Sequence, residues 1–157
     1  MTLTNKEIKL TCISLWGGSC LLVLFLYFGF GVLRHFFEMS FIVIKNESIK
    51  DIMTMLSGFS ITMTGFIAAI GAYLLSISHK KSFIRWKVAG YLQVFYHLYL
   101  MCVFFLLITF ILCIANSIIY SGVMLLKLAL SFFAVNVIHI IFLTLIVVGQ
   151  SRSAEES

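Results

Sequence analysis

Four polar side chains stand inside the apolar runs of this chain at helical spacing. Gln93 and His97 are four residues apart, and Asn136 and His139 are three apart. Either spacing puts both members of a pair on one face of a helix. Amides and imidazoles placed this way support three kinds of chemistry. They can satisfy one another through interhelical hydrogen bonds. They can belong to a hydrated path or a proton-sensitive gate, because histidine titrates near neutrality. Or His97 and His139 can serve as axial ligands of a b-type haem.

What surrounds these groups follows from composition. Of 157 residues, 62% are hydrophobic and 11% are charged, against roughly 45–50% and about 25% in a soluble domain. No soluble fold of this size hides so much apolar surface, so an integral membrane protein is expected. Apolar runs cover about 10–33, 52–77, 88–115 and 123–149. Each reaches the ~20 residues that a helix needs to cross the hydrocarbon core. The alternation of a membrane β-barrel is absent. The expected fold is an all-α membrane protein, a single four-helix transmembrane domain over residues 1–157. The start, "MTLTNKEIKLTC", does not read as a cleaved signal, so the first helix is expected to be retained. There is no proline, which argues against the broken helices of alternating-access transporters.

These spans set the depth of the polar groups. His97 lies nine residues into its run, and His139 lies ten from the end of its own. The connection "NSIIYSG" is short, so the last two spans form an antiparallel hairpin. Gln93, His97, Asn136 and His139 are then expected to meet ~15 Å deep, near the middle of a ~30 Å core. No Asp or Glu lies in any span, which weakens ion-coupled transport. No metal-ligand spacing, nucleophile–base pair or phosphate loop is visible. Neither a metal nor an enzyme is expected.

Orientation follows from Lys and Arg. The segment 78–87 carries Lys80, Lys81, Arg85, Trp86 and Lys87 and is the densest basic stretch. Placing it in the cytoplasm puts both termini there too, with Lys6, Lys9 and Arg152, and leaves Arg34, Lys45, Lys50 and Lys127 outside. The net charge of +5 is then mostly a topology signal, and nucleic acid is not an expected partner. The basic loop reads as a surface for anionic lipid or for a soluble cytoplasmic partner, with Phe83 and Trp86 in the headgroup layer. Cys12, Cys20, Cys102 and Cys113 lie in or beside apolar runs without a CxxC pair and read as small hydrophobes. The outer loop "RHFFEMSFIVIKNESIKD" reads as interfacial. Ser48 and Asp51 can cap the start of the second helix. The tail "SRSAEES" reads as a polar, frayed end.

The second span carries a run of small residues. Gly58, Thr62, Gly65, Ala69, Ala72 and Ser76 follow each other by three or four, which keeps them on one stripe. Ser57, Thr64, Ala68 and Gly71 thicken its edge. In lipid, small stripes let helices approach closely. The stripe can serve contact within one chain, contact between copies, or a narrow pore wall. It is uncharged, and a pore lined by it would discriminate little between ions.

Taken in order, "TMLSGFSITMTGFIAAIGAYLLSI", "SHKKSFIRWKVAGY" and "VIHIIFLTLIVVGQSRSAEES" resemble the RexB family. Those are four-pass inner-membrane proteins of a temperate-phage exclusion system. Gly90-Tyr91 matches the Gly-Tyr behind that family's basic loop, and Ile138-His139-Ile140 its last-span element. The likeness covers roughly Thr54 to Ser157, and His97 lies outside the matched motifs. The resemblance implies an effector of the bacterial inner membrane. It would be an ion-permeable channel, here expected to be a symmetric homo-oligomer, opened by a cytoplasmic sensor of infection. The alternatives are a non-conducting scaffold that tethers a cytoplasmic effector, an architecture compatible with the four-pass subunit of Kiwa defence, and a b-haem electron carrier.

Overall fold

The first helix begins where a reciprocal cap allows it. Thr4 donates its backbone N–H and its hydroxyl to the Glu7 carboxylate at 2.8 Å, and the Glu7 N–H returns to Thr4 Oγ1 at 3.4 Å. This arrangement satisfies amides that the first turn of a helix otherwise leaves free. The computed structural model describes residues 4–36, 46–119 and 123–155. They form five helices: α1 (Asn5–Phe36), α2 (Asn46–Ser76), α3 (Lys81–Val88), α4 (Tyr91–Ile119) and α5 (Val123–Glu155). All but α3 are long and apolar enough to cross a bilayer. The chain is a multi-pass membrane protein of the all-α class. At 1.5 Å per residue the long helices measure about 43–50 Å, so each overruns a ~30 Å core and must tilt or project.

Helix α4 is the central element. Its Phe95, Leu98, Met101, Cys102, Phe105 and Leu106 are buried in the main apolar cluster. Helix α5 runs antiparallel to it, with Phe105 and Phe132 meeting edge to face at 5.3 Å. On another side, α2 buries Ile67, Ile70 and Leu74 in the same cluster. Gly71 permits this approach, because a Cβ there would lie 3.2 Å from the Tyr99 hydroxyl. Toward the opposite end, Ile49, Met53 and Leu56 of α2 pack with Cys113 of α4 and with Leu126 and Ala129 of α5. Helix α1 leans on the hairpin through Trp16, which meets Phe104 and Phe105. Among the described residues α1 and α2 pack on the hairpin and not on each other.

The helix ends differ from those expected of the apolar runs. Val88 does not begin a span; it ends α3, a fifth and short helix. Ala89 donates to Arg85 O and Gly90 to Lys87 O, and Gly90 has φ 86°. That left-handed conformation is readily open to glycine alone, so the chain turns there and α4 starts at Tyr91. Val88, Ala89 and Gly90 are apolar, which hides the turn from hydropathy. At the other terminus α5 stays helical through Glu155, so most of the tail expected to fray is helix. Helix α2 starts two residues before Ser48, at Asn46. Half of the expected interfacial outer loop, residues 37–45, lies outside the described residues.

Candidate functional site

Asn136 is completely buried on α5. Its Nδ2 donates to Thr109 Oγ1 at 3.4 Å, and Thr109 in turn donates to Phe105 O at 2.8 Å. The Cys102 thiol points at Asn136 Oδ1 from 4.0 Å, a weak contact. One turn along, His139 Nε2 lies 2.9 Å from Ser19 Oγ of α1. Both are buried, and the imidazole rests on Phe105 with ring centroids 5.6 Å apart. His139 Nδ1 has no hydrogen-bond partner among the described residues. Asn136 therefore ties α5 to α4, and His139 ties α5 to α1. Buried hydrogen bonds of this kind in lipid contribute about 0.6 to 2 kcal/mol each.

Gln93 and His97 do not join them. Gln93 is exposed, and His97 Nδ1 bonds back to the Gln93 carbonyl oxygen of its own helix at 2.9 Å. The expected four-residue cluster is thus divided, and the register of the hairpin is the reason. Cys102 and Thr109 lie about a turn to either side of Asn136, which makes Asn136 level with Phe105 or Leu106. His97 then sits about 8 Å along the axis from His139. The matching depths rested on apolar runs ending at 88 and 149, whereas the helices start at Tyr91 and continue to Glu155. The true partners, Ser19 and Thr109, are hydroxyls among many hydroxyls, and nothing in the sequence sets them apart.

The arrangement limits what chemistry is open. A Ser–His pair at 2.9 Å has the spacing of an activated nucleophile. Ser19 lies mid-helix, however, where backbone N–H groups are engaged in the ladder and none is free to stabilise an oxyanion. The pair also fails as haem axial ligands. His139 Nε2 is taken by Ser19, His97 is folded onto its own helix, and the two rings turn to different neighbours. No group of three His, Cys, Asp or Glu able to hold a metal occurs among the described residues.

The small stripe of α2 has a different fate. Gly58, Thr62, Gly65, Ala69, Ala72 and Ser76 are all exposed. They lie nearly opposite the face, Leu56, Ile67 and Leu74, that α2 buries against α4. A Cβ added at Gly58 or Gly65 would meet nothing within 4 Å. No helix of the chain covers this face among the described residues. The hydroxyls along it donate to their own helix: Thr62 to Gly58 O at 2.9 Å, Ser76 to Tyr73 O at 2.7 Å and Thr54 to Lys50 O at 2.9 Å. Oxygen lone pairs, methyls and bare backbone remain. The exposed face of α4 is unlike it, with Leu100, Phe104, Leu107, Ile111 and Ile114.

Helix α3 docks through Phe83 and Trp86. Trp86 meets Phe83 at 5.8 Å and Phe95 of α4 at 5.7 Å, so these rings pack on protein. Lys80, Lys81, Arg85 and Lys87 are exposed around them.

No family model, curated protein or solved structure matches this chain.

Asn136 and the Nε2 of His139 are engaged inside the chain, whereas no helix of the chain covers the small face of α2 or the basic face of α3 among the described residues.

Proposed function

We propose that the protein is a self-associating effector of the bacterial inner membrane. Copies meet along the α2 stripe, and the assembly surrounds an ion-permeable path. Both termini and α3 lie on the cytoplasmic side, where a soluble sensor partner controls opening. The observation that carries this reading is the outward placement of the stripe. A surface left to lipid gains nothing from being small, whereas a helix–helix contact in lipid gains close backbone approach. The lining would be uncharged and weakly polar, suited to dissipating a potential and poorly suited to choosing an ion. The setting of phage exclusion rests on the RexB resemblance.

A second reading has its own support. Every stripe hydroxyl named above donates to its own helix, which suits dry packing as well as a wet wall. In that case the oligomer is a non-conducting scaffold that tethers a cytoplasmic effector. Ion flux from liposomes holding the purified protein separates the two readings, measured for wild type and for Gly65→Leu. The channel reading expects flux that the substitution abolishes. Oligomers without flux would establish the scaffold instead.

A further inference from the structure

The exposed side of α3 has a composition that its own chain does not complete. Viewed down the helix, Ile84 and Val88 share a face at i, i+4 and are 49% and 73% exposed. Lys81 and Arg85 flank them on one side and Lys87 on the other, all exposed, with Lys80 just before the helix. No Asp or Glu occurs between Ile52 and Ala154, so nothing near in sequence neutralises these cations. The position of α3 is set by its neighbours. It follows the end of α2 and precedes α4 across the Gly90 turn. Trp86 reaches Phe95, one turn inside α4. Helix α3 thus packs against the first turn of α4. The face opposite Phe83 and Trp86 is turned away from protein and lies next to the start of the α4 span at Tyr91.

We propose that this face binds the anionic phospholipid headgroups of the leaflet that surrounds it. Ile84 and Val88 enter the acyl boundary, and Lys80, Lys81, Arg85 and Lys87 take the phosphates. Two exposed aliphatics between cations suit that layer, where apolar area and surface charge act together. An acidic soluble protein would meet the cations from the water side, but it would leave Ile84 and Val88 pointing past it. The proposal does not depend on conduction, so a null result in the flux measurement leaves it standing.

The test uses full-length protein carrying Trp16→Phe, Trp86→Phe and Ile84→Trp, which leaves a single tryptophan, on the exposed face of α3. The protein is reconstituted in phosphatidylcholine vesicles. Quenching of that tryptophan is compared for phosphatidylglycerol and phosphatidylcholine brominated high in the acyl chains, at equal mole fraction. Phosphatidylglycerol should be favoured about fivefold, the factor that roughly one surface cation contributes. The preference should shrink in high salt and in Lys81→Gln/Arg85→Gln. Equal quenching by the two lipids overturns the proposal and leaves the cations to an acidic soluble partner. So does a preference that the double substitution leaves intact. The unsubstituted basic face decides between the two lipids by itself, should the double variant fail to fold.

Discussion

The two outward-facing surfaces of α2 and α4 sit on neighbouring helices of similar length, yet they are made of different materials. Helix α4 shows Leu100, Phe104, Leu107 and Ile111 to the outside, the bulky apolar residues that acyl chains accept. Helix α2 shows Gly58, Thr62, Gly65, Ala69 and Ala72. Where bulk lies outside, lipid is a sufficient neighbour. Where smallness lies outside, with space at Gly58 and Gly65, the natural neighbour is another helix, and the described residues of this chain supply none. The hairpin makes the same point from within. Asn136 and His139 Nε2 find partners in α4 and α1, and those bonds hold helices together.

The largest effect is expected at the stripe. Gly65→Leu and Ala69→Leu should weaken self-association by about 1–3 kcal/mol, the usual cost of forcing bulk into a packed contact. The folded chain should keep its own stability, because a Cβ at Gly65 meets nothing within 4 Å. Oligomer size by light scattering in detergent, set beside thermal unfolding, reads both quantities. Unchanged oligomers in both variants would remove the reason for placing the stripe at an interface.

Gly71 sharpens the comparison from the same helix. A Cβ there is 3.2 Å from Tyr99 Oη, so Gly71→Leu should lower the melting temperature of the single chain by pushing α2 off α4. Gly65→Leu should leave that temperature unchanged. If the two glycines respond alike, the inner and outer faces of α2 have been misassigned.

A smaller effect is expected in the hairpin. His139→Leu leaves Ser19 without its partner and should cost ~1–2 kcal/mol, read as a shift in the unfolding midpoint. His139→Gln should recover part of the loss, because an amide both donates and accepts. Equal losses would mean that the ring packed on Phe105, not the hydrogen bond to Ser19, carries the stability. The smallest effect belongs to His97. Among the described residues its hydrogen bond is to its own helix, so His97→Leu should stay within about 0.5 kcal/mol of wild type.

Much of this was legible before the structure. The four long helices follow from four apolar runs, because a bilayer demands length and little else. Asn136 and His139 do share an inward face, as their spacing requires. What stayed hidden was register. The partners of α5 depend on how far the hairpin slides, and that is set by helix ends no hydropathy count locates. Gly90 ends α3 through a positive φ, not through polarity, so Val88 to Gly90 passed as the start of a span. The stripe was visible as a pattern, but whether it faces α4 or the outside depends on which side of α2 the hairpin occupies. Spacing alone does not encode that.

The most direct test of the central claim is disulfide capture in native membranes. Single cysteines are placed at Gly65 or at Leu107 in a chain whose four native cysteines have been replaced. The account predicts that Gly65→Cys forms cross-linked dimers on mild oxidation, as does Gly58→Cys, while Leu107→Cys stays monomeric. Dimers at Leu107 as abundant as at Gly65, or none at Gly65, would contradict it.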